Sequence, residues 1–492
     1  MPRPWMIALV AAALGCGAAS LVAADPATPE RIAEDFAAAA AAVVRRAEAA
    51  GASELAAVVR GWDLPAEGDR QIVLAIPPRP ERPAAIDTPQ EESLWEDFMA
   101  ARRTRAAGLF GRALEAARPP RDPPRGSRGE QPPDARPCAA VGLVYRALRD
   151  DPDHAGARAA AGWVRRKDGW AWPAAARRLD RGDEFDPAFG WLPRGRLARY
   201  RDGQRHDRGR WISAADDAVR ELTVERGRQF DSDHWEILSP APLEAAAAVA
   251  RRLEETRTVW LQIFGAAVAA PADFAARLAG RGRPAAGDPF AAVLCRSRGQ
   301  YAAELEQLEP AIAGTEGLYW RPTETIWFSA EGDGPRAETV WHEATHQLFA
   351  EAAATSPLAG ERCGFWAIEA AACHLESIRP AAFGWTVGGP DAGRLPAARR
   401  LLVEEEFQVP LEELAALGRA AFQADPRLER IYDQLAGLAD FLMNGRGGRY
   451  REAFVQYLRR VYAGTDDPDT LPRLCGRPFA ELDAEYRRHL AR

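Results

Sequence analysis

His342-Glu343-Ala344-Thr345-His346 constrains this chain more than any other segment. On an α-helix, positions i and i+4 stack one turn apart on one face, so the two imidazoles can close on a single metal ion. Glu343 then lies beside the ion, placed to take a proton from a bound water. That reading needs a helix over these residues, and the flanks supply one. Pro335 suits a first-turn position, Glu338 suits the positive N-terminal end, and Ala337, Val340, Ala344, Leu348 and Phe349 recur at three- and four-residue spacing. The same pentapeptide also fits an ordinary amphipathic surface helix. A further protein ligand separates the two readings, because two histidines do not complete a metal site.

Glu369, 23 residues beyond His346, is the best candidate. It stands in Trp366-Ala-Ile-Glu369-Ala-Ala-Ala-Cys-His-Leu-Glu376, which resembles the W-x-x-E-G-x-A motif of gluzincin metallopeptidases, whose HExxH helix is followed by a second helix carrying the glutamate ligand. The segment is still more similar to bacterial families of uncharacterised function in which H-E-x-T-H-Q precedes W-x-x-E-G-x-A-x-Y-x-E. Trp366, Glu369, Ala372 and Glu376 fall on that pattern, whereas Ala370 replaces the usual glycine and His374 the usual aromatic. Glu376, two helical turns along from Glu369, could orient a ligand histidine or be a solvated charge. His374 stays open as a surface residue, a partner of a ligand or a stray ligand, the first being the plainer reading. The segment from Tyr432 to Leu442 resembles the gluzincin helix whose tyrosine donates a hydrogen bond to the oxyanion. By resemblance Tyr432 takes that role, for which a neutral phenol of pKa about 10 is suited. An ordinary core aromatic is the alternative, with Tyr450 as the reserve donor.

The resemblance implies an α+β fold: a zincin-like (gluzincin) catalytic domain over 228–492, with a small mixed sheet and an α-rich C-terminal lobe, preceded by a mainly helical N-terminal region. It implies a Zn2+ ion held by His342, His346 and Glu369, with Glu343 and Tyr432 catalytic and a peptide or protein as substrate. Acidifying a metal-bound water from pKa 15.7 towards about 7 favours hydroxide by roughly 12 kcal/mol, which no carboxylate alone supplies. Within this half, apolar patterning predicts strands at 234–238, 291–295 and 325–329, helices at 242–264 and 301–308, and a sheet with helices on one side. By resemblance, Thr325–Ser329 is the edge strand that pairs with an extended substrate. Helices follow near 411–423, 428–444, 450–463 and 478–490. The G-x-M-E-N motif of aminopeptidases is absent before His342, which argues against aminopeptidase action. The competing class is a catalytically inactive binding protein of the cell envelope on a gluzincin scaffold. Ala370 and His374 favour it, and retention of Glu343 with all three ligands opposes it. A purely structural zinc is disfavoured, because such sites are usually closed by four cysteine-rich ligands.

The rest of the chain is less specific. Arg3 ahead of the apolar run Met6–Leu14, with Val22-Ala23-Ala24 before Asp25, predicts a signal peptide over 1–24 and export to the periplasm or beyond. Ala13-Leu14-Gly15-Cys16 approximates a lipoprotein cleavage site but lacks the usual leucine, so anchoring through Cys16 ranks below simple secretion. No later stretch reaches the roughly 18 uncharged apolar residues of a membrane span. A net charge of −7 excludes nucleic acid as a charge-matched partner, and Lys167 as the only lysine among 64 basic residues indicates codon bias. Beyond Cys16 lie Cys138, Cys295, Cys363, Cys373 and Cys475, of which Cys363 and Cys373 flank Glu369 as either a disulfide or two buried thiols. Region 25–160 is predicted to be a helical accessory region, with helices near 29–60, 90–117 and 138–161 separated by proline-rich breaks at 77–83 and 119–137. Region 161–227 contains two tryptophan-rich hairpin-and-helix copies, 162–172 and 190–212, the second running into a Ser213 N-cap. Their tryptophans could bind an envelope partner or a glycan, but more often such residues seal a small sheet.

Overall fold

The computed structural model describes residues 28–77, 86–118, 136–268, 271–282, 284, 287–306, 315–332, 334–351 and 355–492. The predicted signal segment 1–24, Cys16 and most of both proline-rich breaks lie outside them. Within them the chain is a mixed α+β structure, mostly helical with small sheets.

The N-terminal helices are α1 (Pro29–Ala49), α2 (Ser53–Arg60), α3 (Pro89–Ala116), α4 (Pro137–Asp150) and α5 (Ala155–Ala161), with strand β1 (Arg70–Leu74) between α2 and α3. Their starts follow from the sequence. Thr28 caps α1 through its hydroxyl, and Thr88 with Glu91 closes a capping box on α3. The helix expected over 138–161 is two helices, broken where Asp151-Pro152 interrupts the pattern. α4 is anchored on the C-terminal half: the N–H groups of Cys138 and Ala139 donate to Glu452 at 3.2 and 3.0 Å, a carboxylate on a helix N-terminus.

Three hairpin-and-helix units follow, where two copies were expected: β2 (Val164–Arg166), β3 (Gly169–Ala171) and α6 (Pro173–Asp180); β4 (Asp183–Asp186), β5 (Gly190–Pro193) and α7 (Arg194–Arg201); β6 (Gln204–Asp207), β7 (Arg210–Ser213) and α8 (Ala214–Ala218). The stretch 190–212 is thus the second half of one hairpin and most of the next, and Ser213 does cap α8, accepting from Asp216 N–H at 2.9 Å. Trp170 and Trp191 are buried, and their indole N–H groups donate to Asp153 and Asp233 at 3.0 and 2.9 Å. They seal the hairpins.

Next come β8 (Arg228–Asp231), β9 (Trp235–Ser239), α9 (Leu243–Val268), α10 (Pro271–Leu278), β10 (Phe290–Cys295), α11 (Arg298–Glu306), β11 (Gly317–Trp320), β12 (Thr325–Ser329) and α12 (Ala337–Glu351). The strands form one sheet in the order β11-β12-β10-β9-β8, parallel at its centre, with antiparallel β11 and β8 at its edges. β12 is therefore interior, paired on both sides, and among the described residues β11 is the outermost strand on that flank. Alternation decides what covers each face. Ala292, Leu294, Ile326 and Phe328 join the main core under α9 and α12, whereas Val293, Cys295 and Trp327 face a smaller cluster with Tyr301 and Leu305 of α11. Helices thus lie on both faces, not on one.

The remainder is α13 (Phe365–Leu375), β13 (Arg379–Ala381), β14 (Gly384–Gly388), α14 (Leu395–Val403), α15 (Leu411–Ala416), α16 (Arg419–Gln423), α17 (Leu428–Gly448), α18 (Arg451–Ala463), α19 (Thr470–Cys475) and α20 (Phe479–Leu490). The helix expected over 411–423 is broken at Leu417-Gly418, where Gly418 packs so closely on the Glu361 carbonyl that a Cβ has no room. β1 returns to this lobe, pairing with β14 over Arg70↔Gly388 to Leu74↔Gly384. α13 is buried along its whole length and packs against both α12 and α17. Among the described residues no helix is long and apolar enough to cross a membrane.

Candidate metal centre

Three elements converge on one point. α12 begins at Ala337, so Pro335 precedes its first turn rather than occupying it, and Glu338 sits in that turn. One turn further along, His342 and His346 stand on the same side of the helix with ring centroids 4.8 Å apart. Gly364, whose φ of 69° is the left-handed conformation glycine adopts without strain, precedes α13, which carries Glu369 into the core at 6% exposure.

His342 Nε2 and His346 Nε2 are 3.1 Å apart, and Glu369 Oε2 lies 3.5 Å from the first and 3.6 Å from the second. Tetrahedral zinc with ligand bonds of about 2.0–2.1 Å sets its ligand atoms about 3.3–3.4 Å apart. The triangle has that size. The three side chains together could hold a metal ion. The donor set agrees with the geometry: a buried carboxylate and two imidazole lone pairs form a site that asks for a cation. Burial alone would raise the Glu369 carboxyl, but His346 and His342 outweigh it and hold the group well below the ordinary carboxylate range. Burial likewise disfavours charge on His342, yet its bonds with Cys373, Glu369 and Glu376 raise it well above the usual imidazole value. Negative potential is therefore concentrated on this ring.

The ring is fixed from behind. His342 Nδ1 lies 2.8 Å from Glu376 Oε1, and Arg394 Nε donates to Glu376 Oε2 at 2.7 Å while its other end reaches Asp433 at 3.4 Å. With Nδ1–H donated to a carboxylate, the Nε2 lone pair is the one aimed at the metal position. Glu376 is thus the orienting group that was one of its two sequence readings, and at 7% exposure it is no solvated charge. Burial would raise it, but His342 and Arg394 pull it down.

Glu343 is anchored by the sheet. The backbone N–H of Tyr319, on edge strand β11, donates to Glu343 Oε2 at 2.7 Å. Tyr432, one turn into α17, brings its ring centroid to 6.4 Å from that of His342, under the Arg394 guanidinium. Its phenol is pushed far up, first by burial and then by Glu369 and Cys373, so it stays a neutral donor at any ordinary pH. Tyr450 is elsewhere, donating to Glu485 at 3.2 Å.

Of the two readings open for Cys363 and Cys373 the buried thiols hold, and the surface reading of His374 fails. Cys363 and Cys373 are free thiols, as are all five described cysteines: Cys363 turns to Asp466, 3.3 Å away, and Cys373 to His342 and Glu376. Burial and Glu376 push the Cys373 thiol up to about 11. His374 is not at the surface. At 1% exposure it packs in the core, its Nε2 3.2 Å from Gln71 Oε1 on β1 and its Nδ1 without a hydrogen-bond partner among the described residues. Sequence reasoning missed Arg394, Asp433 and the Tyr319 N–H. The last is a backbone group that no side-chain pattern marks; Arg394 stands just before α14 with no motif around it, and Asp433, although next to Tyr432, carries no sign in the sequence of its pairing with Arg394. It also missed that His342, Cys373 and Glu376 form a second, overlapping group able to hold a metal.

No protein-family model matches this chain, and no curated protein matches it. The gluzincin resemblance therefore rests on the residues named above and on their arrangement.

Proposed function

We propose that the chain is a zinc-dependent peptidase of gluzincin type. One observation carries the reading: the convergence of His342, His346 and Glu369 on a triangle of 3.1, 3.5 and 3.6 Å beside a glutamate on the same helix. These three residues would hold the ion. When bound, zinc supplies a Lewis acid that polarises a carbonyl and acidifies water.

The chain's own groups do the rest. Glu343, held at Oε2 by Tyr319 N–H, uses its other oxygen to accept a proton from the attacking water as the water oxygen bonds to the peptide carbon. It then delivers that proton to the departing amide nitrogen as the C–N bond breaks, so the carboxylate is regenerated. Tyr432 donates its phenol hydrogen to the carbonyl oxygen as negative charge develops there. The outer edge of β11 beside Glu343, unpaired with any strand among the described residues, supports an extended peptide as substrate, added as a further strand. That role was expected of Thr325–Ser329 and passes to Gly317–Trp320. The test is cleavage of a mixed peptide library by the wild-type chain and by Glu343→Gln. The zinc-loaded variant should lose cleavage, and unchanged cleavage would remove Glu343 from the mechanism.

A further inference from the structure

A cavity of about 900 Å³ opens beside the C-terminal end of β11, lined by residues of α4, α9 and the C-terminal end of α12. Its wall does not include the metal-site histidines, although Tyr319, whose N–H holds Glu343, contributes to it. One part of its lining is apolar, with Val144, Tyr145, Trp260 and Phe274 among the walls, and polar groups line the rest. Such a volume suits a small organic ligand.

Its polar groups are arranged unevenly. Arg257 lies over the Trp172 ring at 4.6 Å and makes no hydrogen bond or salt bridge with any described residue. Its nearest carboxylates are committed elsewhere. Glu254 accepts from Ser232 Oγ and from the backbone N–H of His234 at 2.7 Å each and meets His234 Nδ1 at 2.7 Å, while Asp233 accepts from Trp191 Nε1 at 2.9 Å. Burial works against the Arg257 charge, which an incoming anion would relieve. The other guanidiniums on the wall, Arg277 and Arg321, have partners of their own. His234 stands edge-on to the same Trp172 ring at 5.5 Å. Nδ1 faces the Glu254 carboxylate as donor, so in the neutral ring Nε2 is the nitrogen left as an acceptor.

We propose that this cavity binds the carboxyl end of a peptide: a single carboxylate on Arg257, the adjoining amide N–H on His234, and an apolar side chain against the Trp260 and Phe274 wall. A monoanion fits better than a phosphate, because Asp233, Asp288 and Glu324 also face the cavity and oppose a second negative charge. The site is independent of zinc.

The probes are N-acetyl-L-phenylalanine, its neutral amide of the same shape, and inorganic phosphate, titrated into the full chain by calorimetry, zinc-loaded and zinc-stripped. A charge-assisted bond to Arg257 predicts that the acid binds about tenfold or more tighter than the amide. Phosphate should bind more weakly than the acid, and stripping the metal should leave the preference intact. Arg257→Gln should erase the preference for acid over amide, with circular dichroism confirming that the variant is folded. Arg257→Lys should keep part of it. Equal binding of acid and amide, a preference that survives in Arg257→Gln, phosphate as the best ligand, or a preference that disappears with the zinc would each overturn the proposal.

Discussion

Glu376→Gln tests the metal centre through a residue that never touches the metal. In the native chain Glu376 takes the His342 Nδ1–H at 2.8 Å and the Arg394 Nε–H at 2.7 Å, and it is 7% exposed. Glutamine keeps the shape but can satisfy only one of these donors, since its amide nitrogen meets the other as a second donor. The Arg394 side chain is 40% exposed and retains Asp433 at 3.4 Å, so its loss is largely met by water. The cost falls on His342, whose ring loses its anionic partner and part of its basicity. Removing such a partner typically weakens metal affinity by about 10–100-fold, or about 1.4–2.7 kcal/mol. The assay is competition for zinc against a chromophoric chelator at fixed pH, with circular dichroism to confirm the fold. Arg394→Gln, one bond further away, should weaken zinc binding less than Glu376→Gln does. Unchanged zinc affinity in a folded Glu376→Gln chain would refute the reasoning that this carboxylate orients a ligand.

Other consequences are more direct. Glu343→Gln should bind zinc normally yet lose peptide cleavage by about 10²–10⁴-fold, as expected for a missing general base; parallel loss of zinc would show that Glu343 serves the site differently. Tyr432→Phe should lower kcat by about 10²–10³-fold with little change in KM, and an effect on KM alone would assign the phenol to ground-state binding. His374 gives a pH signature. Burial first, together with Arg451 and against Asp440, depresses it from 6.5 to about 4, so in the pH window between these values the unfolded chain binds the extra proton. Stability from this residue is complete above about pH 6.5 and is lost as pH falls through 4, by about 3 kcal/mol in all. His374→Gln should flatten the acid side of the thermal-unfolding profile between pH 4 and 6.5, and an unchanged slope there would contradict the burial account.

The parts of the site legible in the sequence are those written in local spacing. His342 and His346 are four apart on a helix, and the apolar positions around them fix which face turns inward. Glu369 and Tyr432 were legible only through resemblance, because nothing in their spacing from His346 requires α13 and α17 to pack beside α12. The strands at 234–238, 291–295 and 325–329 follow from apolar runs. Their order does not. Gly317–Trp320 became the edge because it pairs antiparallel to Thr325–Ser329, a choice made by tertiary packing. β1 pairs with β14 across more than 300 residues, and Arg70–Leu74 carries no mark of that partner. Asp183–Asp186 hid the middle hairpin, since Asp-Glu-Phe-Asp is a poor strand by composition and is held by its pairing with Gly190–Pro193. The cysteines were illegible for a similar reason: sequence separation around Glu369 says nothing of where a thiol points, and Cys373 points at His342.

That last contact frames the decisive measurement, because His342 belongs to two overlapping groups, one completed by His346 and Glu369 and the other by Cys373 and Glu376. X-ray absorption at the zinc edge on the purified, metal-loaded chain distinguishes them. Two imidazole nitrogens and carboxylate oxygen at about 2.0–2.1 Å, with no sulfur shell and one zinc per chain, is the result the proposed centre predicts. A sulfur ligand at about 2.3 Å, or a chain that takes up no zinc, would contradict it.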